Sequence, residues 1–363
     1  MRPTKIFFLF FLTWTIAPAQ EFTKTFAADV NYFTGNVMAH SPDLHHFLAG
    51  HPEGLMLGLV KQTHGDESWQ QEYNFPDYGV YLLYQDFKNP ILGHNYAIGL
   101  QYNFYFWKRR LQLKVSQGIA MTSHPHDNET NYRNSAFGSK FMENTNFALN
   151  LRQKVFDKFS LQAGLMFTHF SNGRIKSPNS GVNTYNINIG INYDFSEPQP
   201  YNIDTIAKAR FTEKIKYNLV LRTGVNESLI AHSGQYIFYH PAVYADKRLS
   251  RKFSVQAGAE VFFSNFQKHY IEYKAVAYPE MNIDPETDWK RAGVFVGSEM
   301  FINRLSFEAQ LGYYIYRPLK TDVTMYDRVG AKYYLSDKFF TGISVKTHGF
   351  LAEAMEFVIG ARI

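Results

Sequence analysis

The sequence contains no cysteine and, beyond its first residues, no long hydrophobic run, and each absence excludes a class of protein. Without cysteine, the chain has no disulfide scaffold, thiolate zinc site, cysteine nucleophile or lipoprotein anchor. A mean hydropathy of −0.30 is too polar for a helical membrane protein. The net charge of +5 is spread along the chain. It does not form the basic stripe of nucleic-acid-binding proteins, so no nucleic-acid partner is expected.

The first residues carry the pattern of an export signal. Two basic residues, Arg2 and Lys5, precede an apolar run at 6–16 and the small-residue sequence Ala17-Pro18-Ala19. A charged start, an apolar stretch too short to span a bilayer comfortably and an A-x-A cleavage site are typical of secretory signal peptides. We therefore predict that residues 1–19 are a signal peptide. The alternative is a buried N-terminal helix.

Apolar and polar residues alternate wherever the chain is regular. In 95–107 the even positions are Tyr, Ile, Leu, Tyr, Phe and Phe, while the odd positions are mostly small or polar. The same period of two recurs at 111–121 and 305–315. Strands of about ten residues with one apolar face, in an exported and aromatic-rich chain, favour an antiparallel outer-membrane β-barrel of a Gram-negative bacterium. We count about sixteen strands between residues 24 and 363; a secreted β-sandwich is the alternative.

A polar, proline-containing segment at 197–214 divides the chain almost in half. Periplasmic turns of outer-membrane barrels are normally short, so this segment is too long for an ordinary turn. We predict that it links an eight-stranded barrel at 20–196 to a second β-barrel region at 215–363, with about eight further strands. The alternative is that all strands close into one wide barrel of about 14–16 strands.

The two halves share short similar stretches. KFSLQAG at 158–164 recurs as KFSVQAG at 252–258, and Phe263-Ser264-Asn265 repeats Phe170-Ser171-Asn172. In this repeat Phe262 occupies the place of His169. We therefore expect the second half to lack a base beside its serine and to be structural.

A histidine and a serine share the apolar face of one predicted strand. The positions of that parity are Leu161, Ala163, Leu165, Phe167, His169 and Ser171. Residues two apart on a strand have Cβ atoms about 6–7 Å apart. Side chains can bridge that gap to give the nucleophile–base contact of Ser–His catalysis. Asn183 has the outward parity on the next strand, so we expect Ser171, His169 and Asn183 together on the outer face.

The surrounding motif resembles that of a known family. His169-Phe170-Ser171-Asn172-Gly173, followed by Pro178-Asn179-Ser180-Gly181 and Tyr193-Asp194-Phe195, is similar to the signature of the PagL-type lipid A 3-O-deacylases, which are acyloxyacyl hydrolase-like outer-membrane esterases. The resemblance covers residues 22–196 and implies an eight-stranded barrel.

The resemblance also implies roles for individual residues. Ser171 would be the nucleophile and His169 the general base, and the oxyanion or substrate-binding residues would be Asn172, Gly173 and Asn179. The family has an acidic residue that orients the histidine, and its place falls on Asn183. An asparagine can fix the imidazole tautomer, but it cannot stabilise imidazolium by charge.

The resemblance therefore implies an outer-membrane esterase that removes an ester-linked acyl chain from lipid A through an acyl-Ser171 intermediate. The expected partners are lipid A or lipopolysaccharide and, during insertion, the barrel-assembly machinery. No cofactor and no metal are expected. Two alternatives stay open. One is a catalytically silent barrel for adhesion or envelope structure, which Asn183 favours, and the other is a porin-like channel, which one wide barrel would favour.

Weaker candidates lie in predicted loops. Clustered histidines are His40, His45, His46, His51, His124 and His126. Because they lack cysteine neighbours or a helical HExxH motif, we interpret them as polar loop residues rather than metal ligands. Asp127 and Glu129 are candidates for a carboxylate that reaches the site.

Overall fold

The computed structural model describes residues 25–39, 42–195, 197, 199–203, 211–349 and 351–363. The predicted signal peptide lies outside the described residues, as do residues 198 and 204–210 of the predicted linker. Among the residues that are described, no helix is both long enough and apolar enough to cross a membrane.

The first eight strands form a closed antiparallel barrel, here called the first barrel. Each strand pairs with the next one, and the eighth pairs with the first, which leaves no free edge. The strands are β1 (Phe26–Met38), β2 (Glu53–Lys61), β3 (Asp77–Asp86), β4 (His94–Phe106), β5 (Leu111–Thr122), β6 (Phe141–Lys154), β7 (Phe159–Ser171) and β8 (Val182–Asp194). A short helix, α1 (Ser68–Glu72), lies between β2 and β3.

Eight further strands close in the same way into the second barrel. They are β9 (Lys216–Asn226), β10 (Tyr236–Arg248), β11 (Phe253–Ser264), β12 (Arg291–Ile302), β13 (Leu305–Tyr316), β14 (Met325–Tyr334), β15 (Phe339–His348) and β16 (Leu351–Arg362). Helix α2 (Phe266–Ala277) follows β11. The predicted outer-membrane barrel fold is thus confirmed, with two eight-stranded barrels rather than one wide barrel.

The predicted alternation of faces holds in the strands. On β4, Ile98 and Leu100 are 60% and 65% exposed, whereas Asn95 and Gln101 on the opposite face are buried. A soluble protein would have to hold these large apolar side chains in water, but on a barrel this face meets hydrocarbon. The polar residues point into the lumen, where side chains fill the narrow interior of an eight-stranded barrel.

The two lumens are filled by different polar groups. In the first barrel the buried groups are mainly amides, and they include an ion pair between Lys114 and Asp29 at 2.5 Å. In the second barrel they are mainly charged. Arg328 lies 2.9 Å from Glu260 and 2.7 Å from Glu356, and Lys332 pairs with two further glutamates. Buried charges are stable only when they are paired in this way.

The loops at the two ends of the first barrel differ in length. At one end β4 joins β5 through 107–110 and β6 joins β7 through 155–158, and only the connection 62–76 between β2 and β3, which contains α1, is long there. At the other end β5 joins β6 through 123–140, and β7 joins β8 through 172–181. In outer-membrane barrels the longer loops face outwards and the short turns face the periplasm. The end that carries 172–181 is called the outer end below.

Candidate active site

Three of the residues predicted from sequence meet on the outer face of the first barrel, at its outer end. His169 and Ser171 close β7, and Asn183 is the cross-strand partner of His169 on β8. The Nδ1 atom of His169 lies 2.5 Å from Oδ1 of Asn183. An amide oxygen can only accept a hydrogen bond, so this contact places the ring proton on Nδ1. The Nε2 atom then carries the lone pair that a general base needs.

A residue that the sequence analysis missed completes the cluster. Glu143 on β6 is the direct cross-strand partner of Ser171. Its Oε1 atom lies 3.3 Å from Nε2 of His169 and accepts a hydrogen bond from Oγ of Ser171 at 3.5 Å. The predicted carboxylate candidates lie elsewhere, so the carboxylate of this site is Glu143.

The carboxylate of Glu143 is held in place by its neighbours. Its second oxygen accepts hydrogen bonds from Nε2 of Gln117 at 2.5 Å and from Oγ1 of Thr145 at 3.3 Å. Glu143 therefore contacts both His169 and Ser171 with one oxygen and is anchored through the other. A signal for it existed in the sequence, because Glu143 has the same parity as the lipid-facing Phe147 and Leu149, where a charge is costly.

The described contacts join Ser171 to Glu143 rather than directly to His169. The spacing of two residues on one strand places both side chains on the same face, as predicted, and the shared Glu143 oxygen lies between them. Hydrogen bonds of catalytic residues are often long before substrate binds and tighten in the substrate complex. The arrangement therefore suits proton transfer from Ser171 to His169 beside a fixed negative charge.

The loop 172–181 brings the remaining predicted residues next to Ser171. The amide of Gly173 donates to Oγ of Ser171 at 3.4 Å. Oδ1 of Asn179 accepts from the amide of Asn172 at 2.8 Å, and the Asn172 side chain donates to Oγ of Ser139 and to the carbonyl of Lys176. Asn172 and Asn179 thus shape the loop, while Gly173 points its amide at Ser171.

Gly173 is required by the backbone conformation, because its φ is +61°, where a side chain is strained.

The cluster lies at the boundary between the apolar, lipid-facing surface of the barrel and its polar outer rim. Below it on the outer face lie Leu165, Tyr185 and Ile187, which are 68%, 51% and 69% exposed. Ser171 itself is only 6% exposed. Ser171 therefore lies at the rim of the lipid-facing surface and not in the lumen.

The other loop candidates do not reach the cluster. Asp127 accepts hydrogen bonds from the amide and the hydroxyl of Thr130 and from the amide of Glu129, and these contacts lower the pKa of its carboxyl below the ordinary value. It stabilises its own loop. His46 and His51 bond to Arg133 and Asn36, respectively. Within the described part of the chain, no group of three or more His, Cys, Asp or Glu side chains could hold a metal ion. His40 lies outside that part.

The serine of the second barrel differs from the expectation. Ser264 points into the lumen. It stands eleven residues after the outward-facing Phe253, just as the inward-facing Phe170 stands eleven residues after the outward-facing Phe159. When Phe253 is matched to Phe159, Ser264 corresponds to Phe170 and not to Ser171, so the predicted correspondence is wrong by one residue. A histidine does accompany it: Nε2 of His240 lies 2.9 Å from Ser264 Oγ, and Nδ1 lies 2.8 Å from Glu356.

All three side chains of this inner group are fully buried, and the rings of Phe238 and Phe262 pack against His240. No substrate has access to them, so the group is a hydrogen-bonded part of the lumen packing.

Comparisons with known proteins agree with the motif. Residues 53–192 match the family model described as lipid A 3-O-deacylase (PagL), and residues 215–363 match the model described as acyloxyacyl hydrolase, C-terminal domain. A search of curated proteins gives no match.

Solved structures that align with this chain include a triple mutant of the Rhodopseudomonas blastica porin. The alignment spans 93% of this chain and 99% of that one, with 9% identity and a TM-score of 0.20. The siderophore receptor PirA from Acinetobacter baumannii aligns over 89% of this chain and 43% of its own, with 10% identity and a TM-score of 0.22. Likenesses at these TM-scores support no further conclusion. The two family matches together span most of the sequence, and this chain therefore belongs to the PagL-type family of outer-membrane lipid A deacylases.

Proposed function

We propose that this protein is an outer-membrane esterase that removes an ester-linked acyl chain from lipid A, with Ser171 as nucleophile and His169 as general base. The observation that carries the proposal is the cluster of Ser171, His169, Glu143 and Asn183 at the outer rim of the lipid-facing surface. A lipid can reach this cluster sideways from the bilayer. The 3-position of lipid A is the position named by the matching family.

The proposed reaction has two steps. In the first, Oγ of Ser171 attacks the ester carbonyl carbon while its proton passes to Nε2 of His169. The tetrahedral intermediate then expels the sugar alkoxide, which takes that proton, and leaves an acyl-Ser171 ester. In the second step, water attacks this ester with His169 again acting as base, and the free fatty acid leaves. We assign the stabilisation of the oxyanion to the amide of Gly173, a role that its hydrogen bond to Oγ of Ser171 supports.

Asn183 and Glu143 divide the task that one acidic residue performs in a conventional triad. Asn183 accepts a hydrogen bond from Nδ1–H of His169 and thereby sets the tautomer of the ring. Glu143 lies beside Nε2 and supplies the negative charge that stabilises the imidazolium when the proton arrives. The asparagine at the orienting position is therefore compatible with activity, which removes the main argument for a silent barrel.

The channel alternative finds little support. In both barrels the lumen-facing side chains are buried, and many of them are bonded to one another, as are Arg328, Glu260 and Glu356. A wide porin leaves an aqueous passage, whereas the interior of an eight-stranded barrel is just large enough for its own side chains. We also expect insertion by the barrel-assembly machinery, as for other outer-membrane barrels.

The test is mass spectrometry of lipid A from cells that lack the protein, that carry it, or that carry Ser171→Ala. We expect the loss of one ester-linked acyl chain only with the active protein. A matched control is Ser298→Ala, since Ser298 is a lipid-facing serine on the second barrel, away from the site. Unchanged lipid A in the presence of the folded wild-type protein would refute the proposed activity.

A further inference from the structure

The loop that follows the proposed nucleophile is attached to the second barrel. Four hydrogen bonds join loop residues 174–177 to the segment after β9. The donors and acceptors are Ser177 N to Glu227 Oε2 at 2.7 Å, Ser177 Oγ to the Ser228 carbonyl at 2.5 Å, Glu227 N to the Arg174 carbonyl at 3.1 Å, and Gln235 Nε2 to the Ile175 carbonyl at 2.8 Å. We call Glu227, Ser228 and Met355 the clamp.

Glu227 is the central residue of the clamp. It is buried, and so are its partner Ser177 and its neighbour Ser228. Its two carboxylate oxygens accept backbone amide hydrogens from both sides of the junction, Oε2 from Ser177 and Oε1 from Gly234 at 3.2 Å. Hydrogen bonds to a charged acceptor are stronger than neutral ones, and a buried carboxylate is costly unless such donors surround it. The hydrogen bonds of Glu227 therefore hold the backbone at Ser177 and the backbone at Gly234 in a fixed relative position.

Met355 contacts the same loop at a position closer to the proposed nucleophile. It lies on β16 and packs directly against Gly173, so a Cβ atom added at Gly173 would come within 2.8 Å of the Met355 Cβ. The amide of this glycine donates to Oγ of Ser171. Between Gly173 and Ser177, the loop thus contacts the second barrel on both sides of Arg174, a non-glycine residue with a φ of +62°.

We infer that the second barrel is a positioning element of the active site: the clamp fixes loop 172–177 and so holds the Gly173 amide where the oxyanion forms. The inference rests on the proposed esterase function and adds to it. If it holds, the proposed catalytic residues of the first barrel are not sufficient for full activity without the second barrel. Glu227 acts through the loop and is a positioning residue. A misplacement of about 1 Å in such a site can lower a rate by about 100-fold.

The opposite end of the barrels provides a matched control. There the hydroxyl of Tyr73 donates to the carbonyl of Phe301 at 2.7 Å, and Lys252 lies over the Tyr73 ring. This contact also joins the two barrels, but it is not connected to loop 172–181. If the clamp only holds the two barrels together, removing the clamp or removing the Tyr73 hydrogen bond should have the same effect on activity.

The experiment compares full-length wild-type protein with Glu227→Ala, Glu227→Gln, Ser177→Ala and Tyr73→Phe in detergent–phospholipid micelles, with purified lipid A as substrate. We expect Glu227→Ala to lower kcat by about 10- to 100-fold with KM within about twofold, because the loop and not the lipid surface is disturbed. Glu227→Gln keeps one acceptor oxygen and should recover part of the loss. Tyr73→Phe should keep kcat within about twofold of wild type.

Heat-modifiable migration on gels checks that each variant is folded. If Glu227→Ala does not fold, Ser177→Ala decides, with an expected loss of a few-fold in kcat. Wild-type kcat in the folded glutamate variant, or an equal loss in Tyr73→Phe, would overturn the positioning inference while leaving the esterase function intact. A wild-type protein that releases no acyl chain would instead refute the proposed function, and the inference with it.

Discussion

Replacing Glu143 with glutamine tests whether this carboxylate supplies the charge that Asn183 lacks. The substitution keeps the size of the side chain and removes only its negative charge. At the 3.3 Å between Glu143 Oε1 and His169 Nε2, two unit charges attract by on the order of 5 kcal/mol at an effective dielectric constant of about 20. Replacing the aspartate of a serine triad with asparagine costs about 10⁴ in kcat, which sets an upper bound here. We therefore expect Glu143→Gln to lower kcat by about 10²- to 10⁴-fold.

The assay is the initial rate of fatty-acid release from purified lipid A in micelles. Glu53→Gln serves as the matched control, because Glu53 opens β2 at the same end of the first barrel and pairs with Tyr32 and Lys88 instead of the site. This control should keep its activity. Heat-modifiable migration should be normal for both variants, since neither residue lies in the lumen.

A second substitution can restore the missing charge from the other side of the ring. Asn183→Asp places a carboxylate against Nδ1 of His169, as in a conventional triad. In the Glu143→Gln background it should recover at least about tenfold in kcat, and in the wild-type background it should change the rate much less. Activity of Glu143→Gln equal to wild type would refute this reasoning and would leave Asn183 as the sole partner of His169.

Further predictions concern the nucleophile, the base and both barrels. Ser171→Ala and His169→Ala should each abolish deacylation, and the double variant should be no worse, because the two residues act as a unit; additive losses would contradict this. Arg328→Ala leaves Glu260 and Glu356 without their partner and should destabilise the second barrel by about 3–5 kcal/mol, measured by urea unfolding in detergent. A chain ending at residue 197 should fold alone in detergent and resist protease, whereas rapid digestion would show that the first barrel needs the second.

The barrel and the outward pair of catalytic candidates could be predicted from the sequence because both depend on local order. Side chains on a strand alternate between faces whatever the strand pairs with. The parity of His169 and Ser171 with Leu165 was therefore readable from the chain alone, and the structure places both on the outer face. The motif that resembles the PagL-type family is equally local.

The remaining parts of the site depend on the pairing of distant segments, which no local pattern contains. Glu143 stands 28 residues before Ser171 and meets it only through the register of β6 against β7. A shift of that register by one residue would turn Glu143 away from the site. The same sensitivity explains Ser264, whose repeat was aligned one residue out of phase and whose side chain lies in the lumen.

The number of barrels was also decided by tertiary structure. Sixteen alternating strands suit one wide barrel or two narrow ones, and the choice rests on whether β8 pairs with β1 or continues to β9. The sequence alone determined that the strands have a lipid-facing side and that a serine and a histidine lie at the rim of that side. The carboxylate beside them and the second barrel that holds their loop come from long-range closure, because each strand end finds its partners only when the sheet has closed.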